Sequence, residues 1–297
     1  MAEPSKPHIT VRPLTKFAEF EKLLDIQRAV WGHDDLDVTP THQFCASSRL
    51  GGILVGAFVG RDLAGFVYSF PAVFKKRHIQ HSHLLAVRPE FQGWGLGKRL
   101  KRAQRAEALR RGYDLVTWTY DPLQARNANL NLRALGAIAR TYWPNFYGLT
   151  PALCLGPGVP TDRLLIEWPI KTRRVAERLN GKGRGRGKRA PEADDLEALP
   201  IALERARVGE PPFVEPGPPR LGLRDEAILA EVPKDIKALA CRPDLIAAWQ
   251  AGLRRVMTRY FARGYRADSF VFGDRTFYVL RKGNDRLDKC VWPHRAR

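Results

Sequence analysis

The sequence predicts an α/β (α+β) protein. A mixed central sheet flanked by helices occupies residues 8–170, and a small C-terminal helix-plus-strands piece packs on it. Three observations carry this reading. Strand-like and helix-like apolar patterns alternate through the first 170 residues, the pattern of a sheet covered by helices. A glycine-rich turn, Gly93-Trp94-Gly95-Leu96-Gly97, separates an apolar strand from a strongly basic helix. The last 77 residues contain one long helix with a single apolar face, followed by two short strands.

The elements follow in order. His8–Arg12 reads as a short strand. Phe17–Trp31 reads as a helix, because Phe17, Phe20, Leu23, Ile26 and Val30 recur at spacings of three and four. Gly52–Val59 and Leu63–Phe70 are strands around Gly60-Arg61-Asp62, a hairpin signal. Ile79–Val87 is a further strand. Leu96–Arg111 is a helix with apolar positions Leu96, Leu100, Ala103, Ala106 and Leu109, stopped by Gly112. Leu115–Tyr120 is a strand, Asn127–Leu135 a short helix ending at Gly136, and Leu164–Trp168 a strand. In the last part, Asp244–Arg263 is a helix whose Ile246, Trp249, Leu253, Val256 and Tyr260 line one face. Ser269–Phe272 and Thr276–Leu280 flank a Gly273-Asp274 turn.

Between these parts lies a connector, residues 171–220. Lys171–Arg189 holds nine basic residues and one acid and ends in a Gly/Arg alternation. That alternation has no helix stripe or strand alternation to bury, so it reads as a mobile linker. Acids and then Pro211, Pro212, Pro216, Pro218 and Pro219 follow, a stiff extended composition. The expected organisation is therefore 8–170, a linker at 171–220, and a subdomain at 221–297.

Composition narrows the classes. With 44% hydrophobic and 27% charged residues, the 297-residue chain is neither disordered nor collagen-like. Its net charge of +19 attracts polyanions: nucleic acid, anionic headgroups or a phosphate-rich cofactor. The four cysteines, Cys45, Cys154, Cys241 and Cys290, are far apart and form no Cys-x-x-Cys pair. That argues against a disulfide framework and fits a reducing, cytoplasmic setting. The first twenty residues lack a signal-peptide apolar core, and the apolar stretch near 51–60 is too short to span a bilayer, so no membrane role is expected.

The strongest chemical signal is Val87-Arg88-Pro89-Glu90-Phe91-Gln92-Gly93-Trp94-Gly95-Leu96-Gly97-Lys98. Glycines let a backbone turn with positive φ and approach a ligand. The N–H groups at the start of the next helix, with its dipole, make an anion cradle. Lys98 and Arg99 oppose that dipole in the first turn, which suits a bound anion. A P-loop does not fit, since Arg99 follows Gly97-Lys98. A dinucleotide loop does not fit either, since its third glycine comes one residue early and Pro89–Gln92 intervene. The pattern Gln/Arg-x-x-Gly-x-Gly/Ala does fit, at Gln92, Gly95 and Gly97.

This motif, with Leu85-Ala86-Val87-Arg88-Pro89-Glu90 before it, resembles the coenzyme A pyrophosphate loop of the GNAT superfamily of N-acetyltransferases, in a divergent bacterial branch. The resemblance covers roughly residues 8–170. It implies transfer of an acetyl or other acyl group from acetyl-CoA to an amine on a small molecule, protein or peptide. Backbone at Leu85, Ala86 and Val87 would pair with the pantetheine arm. The amides of Gln92, Gly93, Trp94, Gly95, Leu96, Gly97 and Lys98 would hold the pyrophosphate, and an amide near Val87 would polarise the thioester. Family members often carry an acidic base on this strand. His83 is the matching candidate, with a pKa suited to the work. A strand rise of about 3.3 Å per residue sets it roughly 13 Å from Val87, on the acceptor side. His81 shares its face. The alternatives for this His-x-His pair are a structural role or, with His78, a metal site.

The sequence departs from the family downstream. Leu132 stands where the thiolate-protonating Tyr is usual, and Ala125 where Asn is usual. Tyr147 or Tyr142 then becomes the candidate acid. Gly148 would let the chain turn Tyr147 toward the sheet centre; the other reading for both is packing or substrate lining. Asp121, ending a strand before Pro122, would orient a substrate or base or simply begin a turn. Trp31-Gly32-His33-Asp34-Asp35 falls where the family builds its acceptor wall, and reads otherwise as a polar loop. A second functional reading is a nucleic-acid-binding protein that uses the basic helix and non-specific contacts through 171–189.

Overall fold

The computed structural model describes residues 8–32, 37–148, 155, 158–180, 199–206 and 213–283. His33, Asp34 and Asp35, the cysteines Cys154 and Cys290, and the Gly/Arg alternation lie outside the described residues. The chain forms two compact units, Met1–Trp118 and Thr119–Arg297. This division differs in position from the sequence boundaries at 170 and 221.

In the first unit, β1 (Ile9–Pro13), β2 (Ile53–Val59), β3 (Asp62–Phe74) and β4 (Arg77–Val87) form an antiparallel meander. β5 (Leu115–Tyr120) joins parallel to β4, at Gln80↔Val116 and His81↔Thr117, which makes the sheet mixed. The β3–β4 hairpin is longer than its apolar run. It closes at Lys75 and Lys76, both at positive φ (48° and 62°), the primed-turn geometry whose twist matches the strands.

Helix α1 (Phe17–Trp31) buries Phe20, Leu23 and Ile26 and ends on Gly32 in the left-handed conformation. Phe17, the first residue of the predicted stripe, is exposed because it stands at the helix start, beyond the covered face. Helix α2 (Thr41–Arg49) has no sequence signal, since Phe44 is its one large buried apolar residue. It is anchored by a hydrogen bond between Ser47 Oγ and Tyr68 Oη (2.6 Å). Phe44 packs edge-on against Phe66 and Tyr68. With Leu14, Leu54, Leu63 and Ala86, these residues and the α1 stripe make the core of this unit. Helix α3 (Leu96–Arg110) packs on β2, β3 and β4.

The second unit begins with the end of β5. Then come α4 (Ala125–Ala128), a π-helical turn Asn129–Ala134, β6 (Ile138–Trp143), β7 (Arg163–Pro169), α5 (Arg173–Leu179), β8 (Ile201–Leu203), β9 (Ala227–Val232), α6 (Pro243–Ala262), β10 (Tyr265–Phe272) and β11 (Thr276–Lys282). Its strands lie in the order β7-β6-β10-β11-β9-β8. Ala267 of β10 sits opposite Ala139 of β6, so the C-terminal strands extend the sheet of β6 and β7. The predicted α6 stripe is buried throughout, at Ile246, Trp249, Leu253, Val256 and Tyr260. Burying five such side chains stabilises the unit by roughly 1.5–3 kcal/mol each before entropy is counted.

Candidate functional site

The glycine-rich loop lies in the first unit. After β4 the chain makes a 3-10 turn, Pro89–Phe91, and Gln92 returns its side-chain amide to the Val87 carbonyl (3.1 Å). Gly93 (φ 86°) and Gly95 (φ 74°) are both left-handed, and nothing lies within 4 Å of where a Cβ would stand on either. Conformation, and not crowding, therefore requires glycine here, and open space lies in front of the loop. Gly95 caps α3, and the first intrahelical bond is Arg99 N–H to the Gly95 carbonyl (3.2 Å). The amides of Leu96, Gly97 and Lys98 precede that bond, as helix geometry dictates. No acid stands in the first turn of α3, so its dipole is opposed by Lys98 and Arg99. Gln92, Gly93, Trp94 and Gly95 are exposed, Gly97 and Lys98 partly so, and Leu96 is buried as the anchor of the turn.

Beside the loop, β4 pairs with β5 at Gln80 and His81 and then runs on for six residues to Val87. Its other edge stays on β3 throughout, down to Gly65↔Val87. A Cβ on Gly65 would stand 2.5 Å from the Ala86 carbonyl, so glycine lets β3 approach closely. Leu85, Ala86 and Val87 thus lie on a strand held from one side in the stretch that leads into the loop.

His83 is the extra residue of a β-bulge: Ser82 faces Ser69 and Leu84 faces Tyr68. Bulges re-aim side chains and recur next to active sites. The His83 ring touches Tyr68 edge-on (6.1 Å between centroids) and Phe70 (5.8 Å), yet the residue remains exposed. Partial desolvation by these rings lowers its pKa. His81 lies on the same aromatic patch, 5.4 Å from Phe70, with Nδ1 3.0 Å from Thr117 Oγ1. Burial, then the neighbouring His83 and Lys101, push its pKa down to about 4, so it is neutral at pH 7. The described residues contain no group of three or more His, Cys, Asp or Glu suited to a metal ion.

Beneath β4 lies a buried polar cluster that sequence reasoning missed. Lys101 Nζ donates to Ser82 Oγ (2.9 Å) and Gln104 Oε1 (3.1 Å) and sits 3.7 Å from the centre of the Trp118 ring. Burial pushes the Lys101 amine well below its usual range. The buried face of α3 is Leu96, Leu100, Lys101, Gln104 and Ala108, not the stripe through Ala103, Ala106 and Leu109. A lysine and a glutamine on the inner face defeat a purely apolar pattern; the available signal was Ser82 on the strand opposite.

In the second unit the two tyrosines have different surroundings. Tyr142 is buried and donates to Asp162 Oδ2 (2.6 Å); Asp162 also takes both arms of Arg254 at 2.8 Å. Burial, and then the Asp162 carboxylate, push the Tyr142 hydroxyl well above its usual range. Tyr147 is 39% exposed, with its hydroxyl 3.4 Å from Thr119 Oγ1 and the Arg163 guanidinium 5.2 Å from its ring centre. Gly148 takes the positive φ (71°) that the turn needs. Asp121 accepts from Leu123 N–H (2.9 Å), and burial lifts its carboxyl to about 6. Leu132 and Ala125 are both buried apolar residues.

The strand end, the two left-handed glycines and the start of a basic helix together present backbone amides to open space. Residues 18–136 match the Acetyltransferase (GNAT) family. None of the curated proteins matches the chain. Solved structures similar to it include yncA of Salmonella typhimurium with acetyl-CoA (19% identity, 56% of this chain and 96% of that one, TM-score 0.46). A GNAT family acetyltransferase of Elizabethkingia anophelis with acetyl-CoA bound is similar at 20% identity (54% and 97%, TM-score 0.44). The ribosomal-protein-S18-alanine N-acetyltransferase of Escherichia coli is similar at 18% (56% and 96%, TM-score 0.45).

Proposed function

We propose that this protein transfers an acetyl group from acetyl-CoA to an amine, on a small molecule, a protein or a peptide. The observation that supports it most is the Gln92–Lys98 loop: two left-handed glycines facing open space, at the start of a basic helix, within the segment that matches the GNAT family. The amides from Gln92 to Lys98 receive the pyrophosphate, and Leu85, Ala86 and Val87 offer backbone to the pantetheine arm.

Transfer needs the amine as a free base, its attack on the thioester carbon, cleavage of the carbon–sulfur bond, and a proton for the departing thiolate. His83 takes the proton from the incoming ammonium, directly or through water. Its exposure and lowered pKa leave it neutral and able to accept at pH 7. The acid on the sulfur is assigned to Tyr147 ahead of Tyr142, because the Tyr142 hydroxyl is buried and committed to Asp162. The test is isothermal titration of the full chain with acetyl-CoA, followed by release of free thiol with a panel of amines. Binding without thiol release in the presence of any amine would leave a nucleotide-binding domain without the transferase activity.

A further inference from the structure

Tyr147 stands on a short turn, Asn145–Gly148, that follows β6. Asn145 (φ 45°) and Gly148 (φ 71°) both take left-handed backbone, a conformation that a non-glycine residue adopts only when its surroundings hold it there. The hold comes from Thr161 and Asp162, just before β7. Phe146 N–H donates to the Thr161 carbonyl (2.9 Å) and Tyr147 N–H to Thr161 Oγ1 (2.8 Å), while Thr161 Oγ1 donates to the Gly148 carbonyl (2.8 Å). Asn145 N–H donates to Asp162 Oδ1 (2.9 Å). The side chains of the turn lock together as well. Phe146 stacks on Trp143 (4.7 Å between centroids, 11° between planes) and meets Tyr147 edge-on (4.6 Å). These contacts tie the Tyr147 ring to the turn.

Helix α6 in its turn holds the segment before β7. Arg254 donates through Nε to Asp162 Oδ2 and through Nη2 to Asp162 Oδ1, both at 2.8 Å. Oδ1 is the atom that also accepts from Asn145 N–H. Gln250, one helical turn earlier, donates to the Pro160 carbonyl (2.7 Å). Asp162 is fully buried and Thr161 nearly so. A guanidinium fork fixes the plane of a carboxylate, which one ammonium point charge does not. Helix α6 lies outside residues 18–136, the segment that matches the GNAT family.

We infer that Arg254, with Gln250, is a positioning residue for acetyl transfer: through Asp162 and Thr161 it sets the Asn145–Gly148 turn, and with it the place of the Tyr147 hydroxyl. The inference rests on the assignment of Tyr147 as the acid. It gives the C-terminal helix a part in the reaction without contact with either substrate.

The experiment uses the full chain and reads two quantities. One is amide hydrogen exchange in peptides that cover residues 145–148 and 92–98. The other is kcat and KM for acetyl-CoA, from thiol release with the most active of spermidine, phenethylamine and an alanine-initiated peptide. Arg254→Gln should speed exchange at 145–148 by roughly tenfold or more and leave 92–98 unchanged. It should lower kcat by roughly tenfold to a hundredfold with an unchanged KM for acetyl-CoA. Arg254→Lys, which keeps the charge and loses the fork, should fall between it and the parent. Because Arg254→Gln strands a buried carboxylate, Arg254→Gln combined with Asp162→Asn is the second variant, and both effects should persist in it. Tyr260→Phe removes another buried bond of α6, to the Arg220 carbonyl (2.7 Å), and should lower the melting temperature with neither effect. Unchanged exchange at 145–148 in both Arg254 variants with glutamine overturns the inference. So do full rates in both while Tyr147→Phe is slow, or an equal loss of kcat in Tyr260→Phe. Full rates in Tyr147→Phe, or no thiol release by the parent, instead remove the assignment beneath it and the inference with it.

Discussion

The glycine-rich loop of the first unit is shaped by backbone conformation, and the polar networks of the second are built from side chains. The Gln92–Lys98 loop needs only a strand end, two left-handed glycines and a helix start, all within twelve residues. The Tyr142–Asp162–Arg254 network draws on β6, the residue before β7, and α6, from residue 142 to residue 254. The loop is exposed and faces open space, whereas Tyr142 and Asp162 are buried and bonded to one another and to Arg254. A backbone site tolerates little change of conformation but little depends on it for folding. A buried side-chain network is the reverse, because removing one partner strands the other.

The tyrosines test this contrast most sharply. Tyr147→Phe is expected to lower kcat by roughly 10²–10⁴ with an almost unchanged melting temperature. Tyr142→Phe should keep most of kcat and lose about 1–3 kcal/mol in urea unfolding, because Asp162 loses a buried donor. The opposite assignment of the two losses would reverse their roles.

The loop gives the next largest effect. Gly95→Asp should weaken acetyl-CoA binding by about a hundredfold, since it puts a carboxylate where the proposed pyrophosphate would lie. Gly95→Ala, with open space but strained φ, should cost only about 1 kcal/mol of stability. Calorimetry that finds Gly95→Asp binding as well as the parent would remove the loop from the site.

Acid titration should give slopes of opposite sign in the two units. The folded pKa of His81 is about 4 against an ordinary 6.5, so the unfolded chain binds more protons between those values. Its contribution to stability therefore rises with pH across that window, by about 3 kcal/mol. Asp121 is lifted from 3.8 to about 6, so the folded chain binds more protons there, and its contribution falls with rising pH by a similar amount. Denaturant unfolding of His81→Gln and Asp121→Asn at pH 4 to 7 should remove one slope each; unchanged profiles would mean that both groups titrate normally.

The smallest effect separates two left-handed glycines. Gly93→Ala meets no neighbour and should cost about 1 kcal/mol. Gly136→Ala also meets Arg178 Cγ at 3.0 Å, so its melting temperature should fall further, and equal losses would show that Arg178 moves aside freely.

The sequence by itself determined the strands and helices with clear periodicity, the α6 stripe and the glycine loop, because each depends on spacing within one local segment. The loop is legible because positive φ and close approach select glycine, and glycine is visible as a letter. Helix α2 was not legible, since a single buried Phe44 makes no period, and the inner face of α3 was misread because Lys101 and Gln104 are polar. The aim of His83 was decided by a bulge between β3 and β4, a mismatch of register that neither strand contains alone. The tertiary structure alone separated Tyr142 from Tyr147 by bringing Asp162 and Arg254 to one hydroxyl and leaving the other exposed. It also brought Arg174 and Arg281 to Asp268. Charge and burial act through space, so residues far apart in the chain acquire their chemistry only once the sheet has set their distances.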